Sequence, residues 1–400
     1  MIHSLRSIRI TLSPAWRDSL LTFFAGRLFY TLIGLFIWWT KYRPLHANSY
    51  YYEIAPVLEG SAGALLGVWQ RWDGIHYLRI ATNGYTNNQV SLFYPLYPLL
   101  GRWLAHFTHW NISLTLLLVS SIAFLLSMVL LHEFVSQHFS EQIARITLAG
   151  LVLFPSGFYF YAIFPQSLLL FLILLTYFFV RRGWWAGGII TGFLAGLTHS
   201  TSIALCFLIG VEAVQFLWPK VIAFREKRFV FEWNILLPLF APFGSLLGIA
   251  SFMAWRETAG FSPYIALQSS AYSRAITMPW DGVAAIIQFI ISPPNTVNYF
   301  VAYMNTAAFL LMAFLCAWSF RRIPWSWWVM QIGFLVFITT NLTVGYPLIG
   351  FFRYSIVIFP VFIELAILGQ QPRWRLFKFA LGLFLSFIYS AMFFMWQYDL

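Results

Sequence analysis

Apolar residues fall in long runs separated by short polar stretches, and the runs recur from one end of the chain to the other. They lie near 19–39, 112–131, 144–163, 166–180, 184–198, 203–218, 234–255, 297–320, 325–344, 351–369 and 377–397. A bilayer core about 30 Å thick is crossed by roughly 20 helical residues, so the pattern predicts an all-α, polytopic transmembrane helical bundle of about 11 spans. Transmembrane strands would instead alternate over segments of about ten residues, and no such alternation is present. The runs 166–180, 184–198 and 203–218 are short for a full crossing. Pro165 interrupts the 144–180 region, and Thr198-His199-Ser200-Thr201-Ser202 interrupts 184–218. Broken helices are tolerated where their ends line a polar cavity, so both breaks point toward a site.

Composition agrees with this picture. Sixty per cent of the residues are hydrophobic and 9% are charged, with a mean hydropathy of +0.74. A water-soluble domain keeps more charge on its surface. The net charge of +11 is carried in short clusters between apolar runs, such as Arg181-Arg182, Lys220 to Arg228, Arg321-Arg322 and Arg373 to Lys378. That is the pattern of cytoplasmic loops in a membrane protein and not of a nucleic-acid-binding face. It places the N-terminus in the cytoplasm and the C-terminus outside. The run at 19–39 is too long for a cleaved signal sequence and is read as the first span. Cys206 and Cys316 both lie inside apolar runs, which argues against a disulfide framework. Residues 1–400 then form a single integral membrane domain with two long extracytoplasmic segments, 41–111 and 256–296. Trp72, Ile75 and Leu78 recur every three residues, as on a helix lying along the membrane surface, and Trp280 to Ile291 suggests a second interfacial helix.

The first outer segment carries the candidate chemistry. With only 13 acidic residues in the chain, Asp73 stands out among the aromatics of Trp72-Asp73-Gly74-Ile75-His76-Tyr77-Leu78-Arg79. It is either a helix cap or partner of Arg71 or Arg79, or a general base in a water-poor cavity. His199 sits within an apolar region, where an ionisable group faces a cavity or is satisfied by a hydrogen bond. Arg353-Tyr354 opens a span on the outer side, and Arg353 suits either bidentate phosphate contacts or snorkelling to the interface. Arg274 is a further candidate for the phosphate. Arg27, Glu212 and Glu364 lie within about two turns of the inner face, where snorkelling accounts for them. His106 and His109 share a spacing used by metals, but no carboxylate or thiolate cluster accompanies them, so no metal site is expected.

Five elements in order carry a resemblance. They are the WD stretch ending in Ile80-Ala81-Thr82-Asn83-Gly84-Tyr85; Tyr94-Pro95-Leu96-Tyr97-Pro98; Phe154-Pro155-Ser156; Gln268 and Arg274 ahead of Pro279-Trp280; and Arg353-Tyr354 leading to Phe359-Pro360. Over most of its length the chain resembles the PIG-V-like mannosyltransferases, membrane enzymes of the GT-C fold, and its short loops resemble the bacterial members. The resemblance implies an inverting transfer of mannose or a similar hexose from a polyprenyl-phosphate-linked donor to an extracytoplasmic glycan or glycolipid acceptor. The donor is already activated, so no cofactor is implied. Asp73 would be the catalytic base, with Trp72, His76, Arg79, Tyr85, Gln166, His199, Gln268, Arg274, Arg353 and Tyr354 binding substrate. The chain departs from the family in two places. Phe164-Pro165-Gln166-Ser167 holds an amide where relatives carry Glu, and His199 stands where they carry Arg. One expectation is that Gln166 and His199 hydrogen-bond to each other in place of that pair. The competing readings are a transporter or flippase of lipid-linked sugars, or a catalytically altered member acting as a partner subunit.

Overall fold

The computed structural model describes residues 13–40, 60–225, 235–294, 299–370 and 372–397. The opening helix, α1 (Pro14–Trp39), is started by the Ser13 side chain, which accepts from the Trp16 amide, and by Pro14 in the first turn. Its apolar residues divide between two faces. Phe23, Tyr30, Ile33 and Ile37 are buried, whereas Leu21, Phe24, Leu28, Leu32 and Phe36 are exposed at helical spacing. An outward apolar stripe of this length suits lipid rather than water.

The first outer segment folds into short helices, α2 (Gly60–Leu65), α3 (Asp73–Asn83) and α4 (Leu96–Thr108). The bundle continues through α5 (Ile112–His138), α6 (Glu141–Leu153), α7 (Gln166–Arg181), α8 (Trp185–Gly196) and α9 (Ala204–Arg225). Asn111 and Ser140 cap α5 and α6 through their side chains. Next come α10 (Leu236–Phe240), α11 (Gly244–Thr258) and α12 (Tyr264–Tyr272). A strand β1 (Arg274–Ile276) leads to α13 (Pro279–Ile291), α14 (Tyr299–Trp318) and α15 (Trp325–Thr340). The chain closes with β2 (Asn341–Thr343), α16 (Phe351–Tyr354), α17 (Pro360–Leu368) and α18 (Pro372–Phe394).

The polytopic bundle expected from the sequence is present. Among the described residues six helical stretches are long and apolar enough to cross a membrane, and a seventh forms if α16 and α17, bent by 88° at Pro360, count as one span. Of the remaining expected spans, 166–180 is matched by α7, whereas 144–163, 184–198 and 325–344 are α-helical over shorter stretches. The run at 144–163 is helical only to Leu153, because Phe154 turns extended ahead of Pro155. Conversely, the run at 203–218 continues as helix to Arg225. The 12 residues of α8 rise about 18 Å, well short of the bilayer core.

That short helix is held by glycines. A Cβ at Gly196 would lie 2.2 Å from the Ser245 carbonyl oxygen, and one at Gly248 would lie 2.2 Å from that of Phe193. Small residues at four-residue spacing on both helices let the α8 and α11 backbones touch, the usual device for packing helices in lipid. The contact ends three residues before His199 and so sets where the break falls. Gly196→Val is expected to lower thermal stability in detergent by about 1–3 kcal/mol through overpacking. Gly210→Ala, facing open space, is expected to be neutral or slightly stabilising. Equal melting shifts in the two variants would contradict this packing.

At the end of the bundle near residues 17–18, 132–145 and 181 the helices are tied by charge. Asp18 meets Arg145 at 2.7 Å, Arg17 at 3.0 Å and the buried His132 at 3.3 Å, joining α1, α5 and α6. Arg181 and Glu212 join α7 to α9 at 3.2 Å. Two residues assigned to snorkelling are instead held inside. Arg27 donates to the Tyr161 carbonyl and the Ser121 hydroxyl and lies over the rings of Trp69 and Tyr161. Glu364 is fully buried and accepts from the Gln331 amide at 2.5 Å. Both find partners on neighbouring helices, so neither needs to reach the interface.

Candidate active site

The residue before Asp73 has an unusual backbone. Trp72 takes φ 55°, a conformation that costs of order 1 kcal/mol or more in a non-glycine residue, and caps α3. Packing holds it there. The Trp72 indole donates to the Phe393 carbonyl at 3.3 Å, and Arg71 donates to the Phe394 and Gly67 carbonyls at 3.1 and 2.7 Å. Arg71 also lies over the Trp396 ring. Gly74 faces the Ile163 carbonyl, where a Cβ would stand at only 3.0 Å. The loop is therefore fastened to the end of α18 on one side and to the 154–165 connection on the other, with Asp73 between them.

Arg353 is fixed with equal care. The Ser156 hydroxyl donates to the Phe352 carbonyl at 2.7 Å, and the Phe352 amide donates to Asn305 at 2.8 Å. Gly350 enters α16 at φ 73°, and a Cβ there would strike the Tyr354 ring at 2.9 Å. The Phe-Pro-Ser element thus holds the backbone from which Arg353 projects.

The two side chains meet. Arg353 Nη1 lies 2.7 Å from Asp73 Oδ2, with the Arg353 side chain 6% and the Asp73 side chain 23% exposed. Neither Arg71 nor Arg79, the neighbours in sequence, forms this pair: Arg71 is drawn away to the backbone of α18. Arg353 Nη2 donates to Tyr354 Oη at 3.0 Å, and Arg274 Nη2 donates to the same oxygen at 3.4 Å. Arg274 is brought there by the two-stranded pairing of β1 with β2, in which it faces Thr343. Two guanidiniums occupy both lone pairs of the Tyr354 hydroxyl, leaving its proton for a third group. The cluster holds two cations and one carboxylate, so it carries surplus positive charge.

These groups line one cavity of about 160 Å³, together with Gln166, His199, Gln268 and Tyr264. Its walls come from the connections α1–α5, α6–α7, α8–α9, α11–α14 and α15–α17, every second connection along the chain. In a bundle that runs up and down, alternate connections share one end, so the cavity belongs to a single end of the molecule.

No protein-family model matches this chain, and none of the curated proteins matches it. Among the solved structures to which the chain is similar is the oligosaccharyltransferase of Archaeoglobus fulgidus, in complex with zinc and sulfate. The identity is 13% and the TM-score 0.40, over 92% of this chain and 53% of that one. The chain thus spans about half the length of the structure it matches.

His199 sits in the break between α8 and α9, with its ring 5.2 Å from that of Tyr354. Its Nδ1 accepts from the Thr201 amide at 3.2 Å, so the neutral ring carries its proton on Nε2. Burial, then the charges of Arg353 and Arg274, push its pKa down from 6.5 to about 3. The unfolded chain therefore binds a proton that the folded one refuses. Stability is complete above pH about 6.5 and falls as the pH drops toward about 3. His199→Gln is expected to flatten the loss of melting temperature across that window; an unchanged slope would contradict a buried neutral imidazole.

Among the residues expected at the site, Asp73, Gln166, His199, Gln268, Arg274, Arg353 and Tyr354 line the cavity, while Trp72, His76, Arg79 and Tyr85 do not. His76 stacks on Phe93 at 4.5 Å, and Tyr85 donates to the Phe93 carbonyl at 2.8 Å while packing on Trp255. The expected Gln166–His199 hydrogen bond is not formed: the imidazole Nδ1 is turned to Thr201, and Gln166 Oε1 is buried without a partner. Tyr94, Tyr264, Asn341 and Thr343 also line the cavity without having been singled out as site residues. Only Tyr94 had a signal, its place in the Tyr-Pro-Leu-Tyr-Pro run; the others carry no charge and sit in unremarkable stretches.

Proposed function

We propose that this protein is a membrane glycosyltransferase of the GT-C type. It moves a hexose, mannose or one like it, from a polyprenyl-phosphate donor to a glycan or glycolipid acceptor. The observation that carries this reading is the ion pair of Asp73 with Arg353 inside a cavity that also holds Arg274. A carboxylate in a water-poor cavity is suited to take the proton of an acceptor hydroxyl as the new glycosidic bond forms. The surplus cationic charge is suited to the lipid phosphate that leaves, since guanidiniums bind phosphate oxygens in a bidentate manner. Trp72, His76 and Tyr85 act as positioning residues that fix the loop rather than touch substrate.

The basic pairs Arg181-Arg182 and Arg321-Arg322 lie in connections at the end of the bundle opposite the cavity. The excess of positive loops on the cytoplasmic side supports an extracytoplasmic cavity and a cytoplasmic N-terminus. A cavity lined by the connections of one end favours an enzyme over a transporter, whose site is expected near the midplane between two gates.

The phosphate assignment is tested with sugar-free polyprenyl phosphate and the purified full-length protein. Arg274→Gln is expected to weaken binding by about 10- to 100-fold, the worth of a hydrogen bond to a charged group. Unchanged affinity would remove Arg274 from the phosphate site.

A further inference from the structure

The Tyr354 hydroxyl is committed on one side only. Its oxygen accepts from Arg353 Nη2 at 3.0 Å and from Arg274 Nη2 at 3.4 Å, so what it has left to offer is its proton. Among the described residues none accepts that proton. Asp73 is bonded to Arg353 Nη1 instead. The His199 ring, 5.2 Å away, has no lone pair to spare, because Nδ1 takes the Thr201 amide and Nε2 carries the imidazole proton. The tyrosine is partly exposed and lines the cavity, with its ring seated on Gly350, where a Cβ would strike it at 2.9 Å. A rigid donor thus stands on the cavity wall between two cations.

A phenol whose oxygen accepts two charged hydrogen bonds is itself a stronger donor, since both guanidiniums draw electron density from that oxygen. Such a donor gains most against an oxygen that gathers negative charge as a bond breaks. Sugar transfer from a phosphodiester creates one such oxygen. The acceptor oxygen bonds to C1 while the bond from C1 to the phosphate oxygen breaks. The bonding pair passes to that phosphate oxygen, and the acceptor proton passes to Asp73. A carboxylate and a phosphate monoanion thereby become a carboxylic acid and a phosphate dianion, so charge is conserved. One negative charge moves from Asp73 to the phosphate. Arg353 joins the two ends of that path, with Nη1 on Asp73 and Nη2 on Tyr354.

We propose that Tyr354 is a catalytic residue whose hydroxyl donates a hydrogen bond to the phosphate oxygen leaving C1, and that it keeps its proton throughout. This inference rests on the glycosyltransferase reading above and adds a group to its machinery. Arg274 and Arg353 hold the phosphate before and during the reaction. Tyr354 acts on the charge that appears only as the bond breaks.

The test uses the purified full-length protein, a synthetic polyprenyl-phosphate hexose as donor and sugar-free polyprenyl phosphate as product. Tyr354→Phe is expected to lower kcat by about 10²–10³-fold, the usual loss when one donor to a developing oxyanion is removed, with KM for the donor changed by less than about threefold. The Kd for sugar-free polyprenyl phosphate, which carries the charged oxygen, is expected to rise about tenfold. Fluorotyrosine at this position keeps the hydroxyl and is expected to restore most of the lost rate. A kcat within a few-fold of the native value in Tyr354→Phe would overturn the proposal. A loss in Tyr354→Phe that appears as a parallel rise in KM and Kd would also overturn it, since the tyrosine would then only position the two guanidiniums. Fluorotyrosine protein that folds but stays inactive would overturn it even if Tyr354→Phe fails to fold. In each of these cases the native protein still transfers sugar, and the glycosyltransferase reading stands. If the native protein neither binds polyprenyl phosphate nor moves any sugar, that reading falls and this inference falls with it.

Discussion

Replacing Asp73 by asparagine is expected to reduce sugar transfer by about 10²–10⁴-fold, the usual worth of a positioned general base. Asparagine keeps the size of the side chain, and its carbonyl oxygen still accepts from Arg353 Nη1, which stands 2.7 Å from the carboxylate in the native pair. What it loses is the capacity to take a proton. The loop should hold its place, because its anchors are the Trp72 and Arg71 hydrogen bonds to the end of α18 rather than the carboxylate itself. The measurement is the initial rate of transfer of labelled sugar, with the melting temperature of the same preparation as the control for folding. A rate within a few-fold of the native one would remove Asp73 as the base.

The second large effect is expected at Arg353. Its side chain is 6% exposed and its guanidinium serves both Asp73 and Tyr354, so Arg353→Ala leaves a carboxylate without its cation in a site largely closed to water. Removing one partner of a buried pair costs about 3–5 kcal/mol, because the remaining charge stays desolvated. Transfer should be lost as well, since one of the two groups proposed to bind the phosphate is gone. The two consequences separate in the double variant. Asp73→Asn combined with Arg353→Ala removes the stranded charge, so stability should recover relative to Arg353→Ala while activity stays absent. A double-mutant cycle on the melting free energy reads this coupling. Additive losses would mean that the two groups do not act on each other.

Much of the fold is legible in the sequence because lipid imposes a simple rule. Every crossing must be helical and apolar, so runs of apolar residues mark helices, and polar interruptions such as Thr198 to Ser202 mark places where backbone is exposed to a cavity. The limits of the helices are less legible. Proline at 155 and 360 ends or bends helices whose apolar character continues past the break. The glycine contact between α8 and α11 allows a 12-residue helix to be held within the bundle.

The site is legible residue by residue but not as a set of contacts. Asp73 is conspicuous as a rare acid among aromatics, yet its partner lies 280 residues away, and nothing in local spacing points past the nearer Arg71 and Arg79. The WD stretch mixes two tasks that a sequence motif does not separate. Asp73 faces the cavity, whereas Trp72, His76 and Tyr85 are spent on packing the loop against α18, Phe93 and Trp255. Similarly, Phe154-Pro155-Ser156 never reaches the cavity; Ser156 holds the carbonyl of the residue before Arg353. Arg274 reaches Tyr354 through a strand pairing of three residues on each side, too short for any periodic signal.

The central claim is that this cavity transfers a sugar from a lipid phosphate. It is tested most directly by incubating the purified full-length protein with a synthetic polyprenyl-phosphate hexose carrying a labelled sugar and with a membrane extract as the source of acceptor. The account predicts label in a new glycan or glycolipid, release of polyprenyl phosphate, and loss of both in Asp73→Asn. Label that remains entirely on the donor, or product formed equally well by Asp73→Asn, would contradict it.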